Sequence, residues 1–175
     1  MTTYICSKIE KMIQRVQTVL LLLVAIAMAM VAFSNIWGEL DAANDQLRLL
    51  SGFKLELIDT NGTLNDTSDD VVLSSESKWY IGVLGFLASI IAFASIFSFK
   101  NRLTQMKLGA LNALIMAATL GISFYIIYQN EPLIEGQGSI TTGFYLPAGA
   151  MLLNLLSNRF IRKDEKLVRS VDRLR

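Results

Sequence analysis

The sequence predicts an all-α membrane protein with four transmembrane helices, both termini on the cytoplasmic side, and a small extracytoplasmic loop that can hold a β-hairpin. The chain is 53% hydrophobic and only 18% charged, which is more apolar than a typical water-soluble domain. Its apolar residues gather in four stretches without Asp, Glu, Lys or Arg, each about 20 residues long, the length that a helix needs to cross hydrocarbon. The cations concentrate at alternate ends of these stretches.

These stretches divide the chain in order. The predicted regions are a cytoplasmic amino-terminal segment (1–15), a first span (16–38), an outer loop (39–78), a second span (79–99), a cytoplasmic link (100–107), a third span (108–130), a short outer turn (131–135), a fourth span (136–158) and a basic cytoplasmic tail (159–175). A cleavable signal peptide is the alternative for the first span, with Ala27 and Ala29 at the cleavage site. Its apolar stretch continues to Trp37, which favours a retained helix.

The predicted orientation follows from the cations, because Lys and Arg are retained on the cytoplasmic side of a membrane. Basic residues are frequent before the first span, in the link and in the tail, whereas the outer segments carry only Arg48, Lys54 and Lys78. Trp37 and Trp79 fall at span ends assigned to the outside, where aromatic rings suit the headgroup region. The cations and the tryptophan residues therefore predict the same orientation.

The outer loop is the longest segment between the spans. Residues 41–50 predict a helical extension of the first span. Phe53, Leu55 and Leu57 alternate with charged residues and predict a strand, for which residues 71–73 are the antiparallel partner.

Carboxylates are frequent between these two predicted strands, around Asn61-Gly62. Their spacing departs from that of an EF-hand. A solvated acidic turn is therefore favoured, and calcium binding is the alternative.

Small and amide side chains mark the predicted helix-packing surface. In the third span, small residues recur at every fourth position, a spacing that allows close approach of helices in lipid. The amides Asn112 and Asn154 lie at similar depth near the cytoplasmic side and are predicted to hydrogen-bond the third span to the fourth. The small residues of this set are Gly109, Ala113, Ala117 and Gly121.

The tail predicts an amphipathic helix that lies on anionic lipid or on a partner subunit. The alternative is that the cations of the tail only hold it on the cytoplasmic side of the membrane, without a partner. The apolar stripe consists of Phe160, Leu167, Val171 and Leu174, and the basic side chains of the surface are Arg162, Lys166, Arg169 and Arg173.

Several functional classes are disfavoured by what the sequence lacks. The chain has no histidine and one cysteine, Cys6, so histidine-based catalysis and an internal disulfide are excluded, and no metal site or cofactor is predicted. The predicted spans hold no ionisable side chain, which disfavours ion-coupled transport. No nucleophile pairs with a base, which disfavours an enzyme. The net charge of +1 predicts no nucleic-acid partner.

Two terminal motifs carry a resemblance to a known family. Residues 12–17 (MIQRVQ) and 163–175 (KDEKLVRSVDRLR) resemble the start and the finish of an uncharacterised family of four-helix inner-membrane proteins from Bacteroidota, domain of unknown function 4293. The resemblance spans essentially residues 12–175, which leaves Met12 as an alternative start to Met1. It implies a Gram-negative host and a periplasmic outer loop, and it implies no activity.

Together these features favour a small, non-catalytic accessory or scaffolding subunit of an inner-membrane or envelope complex. Its expected partners are the lipid bilayer and either another membrane protein or further copies of the chain. The alternatives are a sensor or ligand-binding membrane protein that uses the periplasmic loop, and then a small transporter or channel lined by Asn112 and Asn154.

Overall fold

The computed structural model combines helices and a sheet. It describes residues 2–41, 44–61, 70–130 and 138–172, with the side chains of these residues except 2–15, 100 and 167–172. The helices are α1 (Thr2–Val31), α2 (Trp79–Phe97), α3 (Arg102–Asn130) and α4 (Thr142–Asp172), and a short 3-10 turn, Ser98–Lys100, follows α2. The strands are β1 (Asn35–Asp41), β2 (Gln46–Ser51), β3 (Lys54–Asp59), β4 (Val71–Ser77) and β5 (Gly138–Ile140).

The helices pack as a bundle in which each contacts its neighbours, α1 with α2 and α4, and α3 with α2 and α4. Because the strands connect α1 to α2 and α3 to α4, they all lie at the same end of the bundle. The opposite end holds the short link between α2 and α3 and the carboxyl-terminal half of α4. The bundle therefore has a sheet end and a link end.

The sheet is antiparallel, with strand order β4-β3-β2-β1-β5. Trp37, Leu50 and Leu55 are successive partners across β1, β2 and β3, so they share one face. All three are buried in the core that also holds Met28 of α1 and Ile81 of α2. This face of the sheet therefore caps the bundle.

Close backbone contacts fix the sheet to the helices. Gly52, between β2 and β3, lies so near the end of α1 that an added Cβ would be 2.8 Å from the Cα and O atoms of Ala32. The N–H of Gly82 in α2 donates to the Gly52 carbonyl at 2.6 Å. The ring of Phe53 occupies the place where a side chain at Gly82 would stand. At position 52 glycine is needed because the two backbones approach too closely for a Cβ, whereas a Cβ at Gly82 would displace the Phe53 ring.

The prediction of an all-α fold with four spans is wrong. Within the first predicted span, α1 ends at Val31 and is followed by strand β1, Asn35–Asp41. Within the fourth predicted span, Gly138–Ile140 forms β5, and α4 starts only at Thr142. Residues 36–38 of β1 are buried against the bundle and carry no charge, so by composition alone they resemble the end of a membrane helix. Trp37, only 1% exposed, pairs with Leu50 and Ile140 in the sheet instead of ending a span.

Two of the described helices, α2 and α3, are long and apolar enough to cross a membrane. This finding rests on length and composition, and it is compatible with membrane association. The apolar stretch described in α1, Val16–Val31, is shorter. In α4, the amides Asn154 and Asn158 interrupt the apolar sequence.

The predicted helical extension over residues 41–50 is also wrong, because Gln46–Ser51 forms β2. The turn before it contains Asp45, whose φ is 53°, a left-handed conformation that a helix cannot continue through.

The hairpin predicted in the outer loop is present, with pairs running from Lys54–Ser77 to Asp59–Val71 across β3 and β4. A register shift between Leu57 and Ile58 marks a bulge. Residues 62–69, with most of the acidic turn and its calcium alternative, lie outside the described residues.

Candidate functional site

The helices expose large apolar side chains on the outside of the bundle, and at the link end they bury polar ones inside it. In α4, Leu152 and Leu155 are 61% and 53% exposed, whereas Asn154 and Ser157 are fully buried. Water-soluble bundles show the opposite distribution. This arrangement is the one expected for a bundle in apolar surroundings, where polar side chains turn inwards to find partners.

Polar side chains that are buried, together with the partly exposed Arg102, gather at the link end, and we call this group the polar cluster. Every helix of the bundle contributes to it. Its members are Gln17 of α1, Ser95 of α2, Arg102, Gln105 and Asn112 of α3, and Asn154, Ser157, Asn158 and Asp164 of α4.

Helix periodicity places these residues on facing sides of α3 and α4. On α3 they lie three or seven residues apart. On α4, Ser157 and Asn158 lie three and four residues after Asn154, and Asp164 lies seven residues after Ser157, which are spacings that keep side chains on one side of a helix. The two helices approach closely at Gly109. The Asn154 Nδ2 group donates to the Gly109 carbonyl at 2.8 Å, and the Asn158 side chain occupies the space where a Gly109 Cβ would stand.

The polar cluster ends in an ion pair between Arg102 at the start of α3 and Asp164 in α4. The Arg102 Nη2 to Asp164 Oδ2 distance is 3.1 Å, and the side chains are 18% and 2% exposed. A buried carboxylate is tolerated when a cation compensates its charge. The pair therefore ties α3 to α4 at the outer limit of the cluster.

Most members of the polar cluster have at least one side-chain atom without a protein partner among the described residues. Asp164 aside, seven members have a buried polar atom that makes no hydrogen bond within the described part of the chain. These atoms are Gln17 Nε2, Ser95 Oγ, Arg102 Nη1, Asn112 Nδ2 and Oδ1, Asn154 Oδ1, Ser157 Oγ and Asn158 Oδ1. Native proteins contain few such groups, and each requires an explanation. The described residues hold no group of three or more Cys, Asp or Glu side chains arranged for a metal ion.

Asn112 and Asn154, predicted to bond to each other, both lie in the polar cluster and are both almost fully buried. The direct hydrogen bond between them is absent from the described structure. Asn154 donates to the Gly109 backbone instead, and both side-chain atoms of Asn112 are among the unpartnered ones.

The small residues of α3 separate into two environments. Gly109 is buried against α4, and Ala113 is half-buried. Ala117 and Gly121 are exposed, and nothing lies within 4 Å of a Cβ built at Gly121. Within one chain, only the first part of this series therefore packs against a neighbouring helix.

The predicted tail surface is only partly described. Phe160 is half-buried, and Arg162 and Lys166 are exposed. Leu167, Arg169 and Val171 lie in α4, but their side chains are outside the described residues, as are Arg173 and Leu174 altogether. Ile161 and Asp164 form the buried side of this part of α4.

Several members of the polar cluster were missed by the sequence analysis. Gln17, Ser95 and Asn158 lie near the ends of apolar stretches, where polar residues are ordinarily assigned to the membrane interface. The available signal was the polar series Asn154, Ser157, Asn158 and Asp164, which follows one side of α4 opposite exposed leucines.

A second polar region lies between the sheet and the bundle. Arg48 of β2 pairs across the sheet with the buried Glu39 of β1, and its Nη1 group donates to the Asn130 carbonyl at the end of α3 at 2.6 Å. This contact fixes the sheet to the carboxyl end of α3, where a cation is favourable to the helix dipole.

The ion pair between Glu76 Oε2 and Lys78 Nζ is 2.9 Å long, and its contribution to stability should depend on pH. Its hydrogen bond holds the pKa of Glu76 below the ordinary value and the pKa of Lys78 above it. Its small stabilisation is therefore lost as the pH falls through the pKa of Glu76 or rises through the pKa of Lys78. Glu76→Gln should lower the pKa of Lys78, as measured by NMR titration of its Nζ group. An unchanged pKa would show that the pair does not form in solution.

Comparison with known proteins gives one family match. The sequence model of a domain of unknown function, DUF4293, matches residues 13–174. No curated protein matches the chain.

Proposed function

Since the chain belongs to the DUF4293 family of domains of unknown function, we propose a function from its geometry, namely a small, non-catalytic accessory or scaffolding subunit of a bacterial inner-membrane or envelope complex. The open edge of strand β4 carries this proposal. In this view the bundle anchors the sheet, and the sheet binds a partner protein.

The proposed location is the inner membrane, which α2 and α3 cross as a helical pair. The exposed apolar side chains of the bundle, such as Ile90 of α2 and Leu114 of α3, support contact with lipid. Lys100, Arg102 and Lys107 lie in or near the link between these helices, which supports a cytoplasmic link end and a periplasmic sheet. The protein should remain in the membrane pellet after extraction with alkaline carbonate.

Strand β4 is suited to pairing with another chain. It is the last strand of the sheet, so the described residues leave its outer edge unpaired, and all seven of its residues are exposed. Open edges in soluble domains are often protected by proline or charged side chains. Val71–Ser77 contains no proline, and its one charged residue, Glu76, is paired with Lys78. An extended segment of a partner would therefore add to the sheet through backbone hydrogen bonds.

Photocrosslinking in cells tests this proposal. With a benzoylphenylalanine residue at Ser75 of the full-length chain, a discrete crosslinked species is expected, because a paired strand lies about 5 Å away. The same residue at Lys54, which is exposed but lies in β3, is the matched control and should give no such species. Mass spectrometry then distinguishes another membrane protein from a second copy of the chain, and either result supports a scaffolding role.

Two variants sharpen the test. Leu73→Lys places a charge on the edge and should remove the crosslink from Ser75, whereas Leu73→Val should retain it. Equal crosslinking from Ser75 and Lys54, or a crosslink that survives Leu73→Lys, would contradict the role assigned to β4.

A further inference from the structure

The polar cluster contains more unpartnered groups than a stable protein tolerates in a dry interior. Its members Asn112, Asn154 and Ser157 are each at most 1% exposed. A buried polar atom without a hydrogen bond costs roughly 1–3 kcal/mol, and the whole stability of a domain is only about 5–15 kcal/mol. The unpartnered atoms of the cluster must therefore have partners outside the protein chain.

The chemical types of these atoms identify the partner. Asn112 Nδ2, Gln17 Nε2 and Arg102 Nη1 are donors, whereas Asn112 Oδ1, Asn154 Oδ1 and Asn158 Oδ1 are acceptors. A bound cation would require acceptors only, and a bound anion would require donors only. An even mixture fits a small neutral molecule that both donates and accepts.

The charge of the polar cluster also indicates a neutral partner. Arg102 and Asp164 compensate each other at 3.1 Å, and the other members of the cluster are neutral amides and hydroxyls. The cluster therefore offers no net charge to a bound ion.

We infer that ordered water molecules occupy the polar cluster and join its side chains into one hydrogen-bonded network that links α3 to α4 and includes Gln17 of α1 and Ser95 of α2. Arg102 and Asn112 are ten residues apart on α3, so the network extends over about 15 Å of helix. Buried waters usually make about three hydrogen bonds each, which is enough to bridge amides on facing helices. Towards the sheet end, Met28, Met116 and Ala88 fill the core, so the hydrated region is confined to the link end.

Water-edited solid-state NMR on the labelled full-length protein in lipid bilayers measures this hydration directly. Magnetisation from water should reach the side-chain amides of Asn112 and Asn154 several-fold faster than the side chain of Thr119. Thr119 is the matched control, because it is also buried on α3 but its hydroxyl donates to the Ile115 carbonyl within its own helix. Transfer to the amides no faster than to Thr119 would overturn the proposal.

A stability measurement tests the network independently. Asn112→Leu removes two unpartnered atoms at similar volume, so it would raise the thermal midpoint of a dry cluster, whereas in a hydrated cluster it breaks the network and should lower the midpoint. Met116→Leu, a volume-conserving change in the neighbouring apolar core, is the control and should have a smaller effect. A higher midpoint for Asn112→Leu than for the wild type would overturn the proposal. Neither measurement depends on the binding of a partner at β4.

Discussion

Replacement of Gly52 by alanine is expected to lower the thermal midpoint of unfolding by about 5 °C, because it forces the sheet away from the bundle. The new Cβ would lie 2.8 Å from the Cα and O atoms of Ala32 and from the Val31 carbonyl. These are backbone atoms at the end of α1, and they cannot rotate away as a side chain can. Overpacking of such a site costs about 1–3 kcal/mol, and each kcal/mol corresponds to about 2–4 °C in a chain of this size.

The shift of the sheet should also weaken the hydrogen bond from the Gly82 N–H to the Gly52 carbonyl. Amide hydrogen exchange at Gly82 should therefore accelerate in the Gly52→Ala protein.

Gly121→Ala is the matched control, since nothing lies within 4 Å of a Cβ at that position. Alanine has a higher helix propensity than glycine by about 1 kcal/mol, so this variant should be as stable as the wild type or slightly more stable. A Gly52→Ala protein with the same midpoint as Gly121→Ala would show that the sheet does not rest on α1 as described.

Removal of the Asp164 carboxylate should have the second large effect. Asp164→Ala leaves Arg102, 18% exposed, without its anion, and loss of one partner from a buried ion pair costs about 3–5 kcal/mol. The fall in thermal midpoint should exceed that of Gly52→Ala. Lys163→Ala, which changes an exposed neighbour, should alter stability by less than about 0.5 kcal/mol.

A double variant separates the ion pair from the packing of α4. Arg102→Met combined with Asp164→Leu replaces the pair by apolar side chains and should recover most of the stability lost by Asp164→Ala, because buried ion pairs are often no more stabilising than apolar residues of similar size. If the double variant is as unstable as the single one, the effect of Asp164 does not come from its charge.

The charge pattern located the helices α2 and α3. The predicted second span starts with α2 and ends two residues after it, and the predicted third span ends with α3 but starts six residues after α3 does. It failed where the apolar stretch continued past a helix. A stretch without charged residues avoids water, but it can do so in a membrane or in a protein core. The segment around Trp37 is buried in a sheet. Only its partners, which are distant in sequence, decide between helix and strand.

Strand β2 is preceded in the sequence by a local turn signal. Asn44-Asp45 is a turn-forming pair, and in the structure the Asn44 amide donates to the Asp41 carboxylate at 2.7 Å while Asp45 adopts a positive φ. After this turn, Leu47 and Leu49 alternate with polar residues, which is the period of a strand.

In the candidate site, too, the sequence predicted the features that depend on nearby residues and did not predict the contacts between distant ones. The depths of Asn112 and Asn154 followed from their distances to the nearest cations in the sequence. The choice of the Gly109 carbonyl as the partner of Asn154 depends on how closely two helices approach, which a single sequence does not encode. The contributions of Gln17 and Ser95 likewise require the packing order of the helices.

The three-residue strand β5 has a consequence for the order of assembly. The first four strands come from one continuous region between α1 and α2, whereas β5 precedes α4 and pairs with β1. During synthesis the sheet can therefore begin to form early, but it is completed only after α3 has followed and the chain has returned to it. The pairing of Trp37 with Ile140 thus completes the sheet, joining a segment made before α2 to one made after α3.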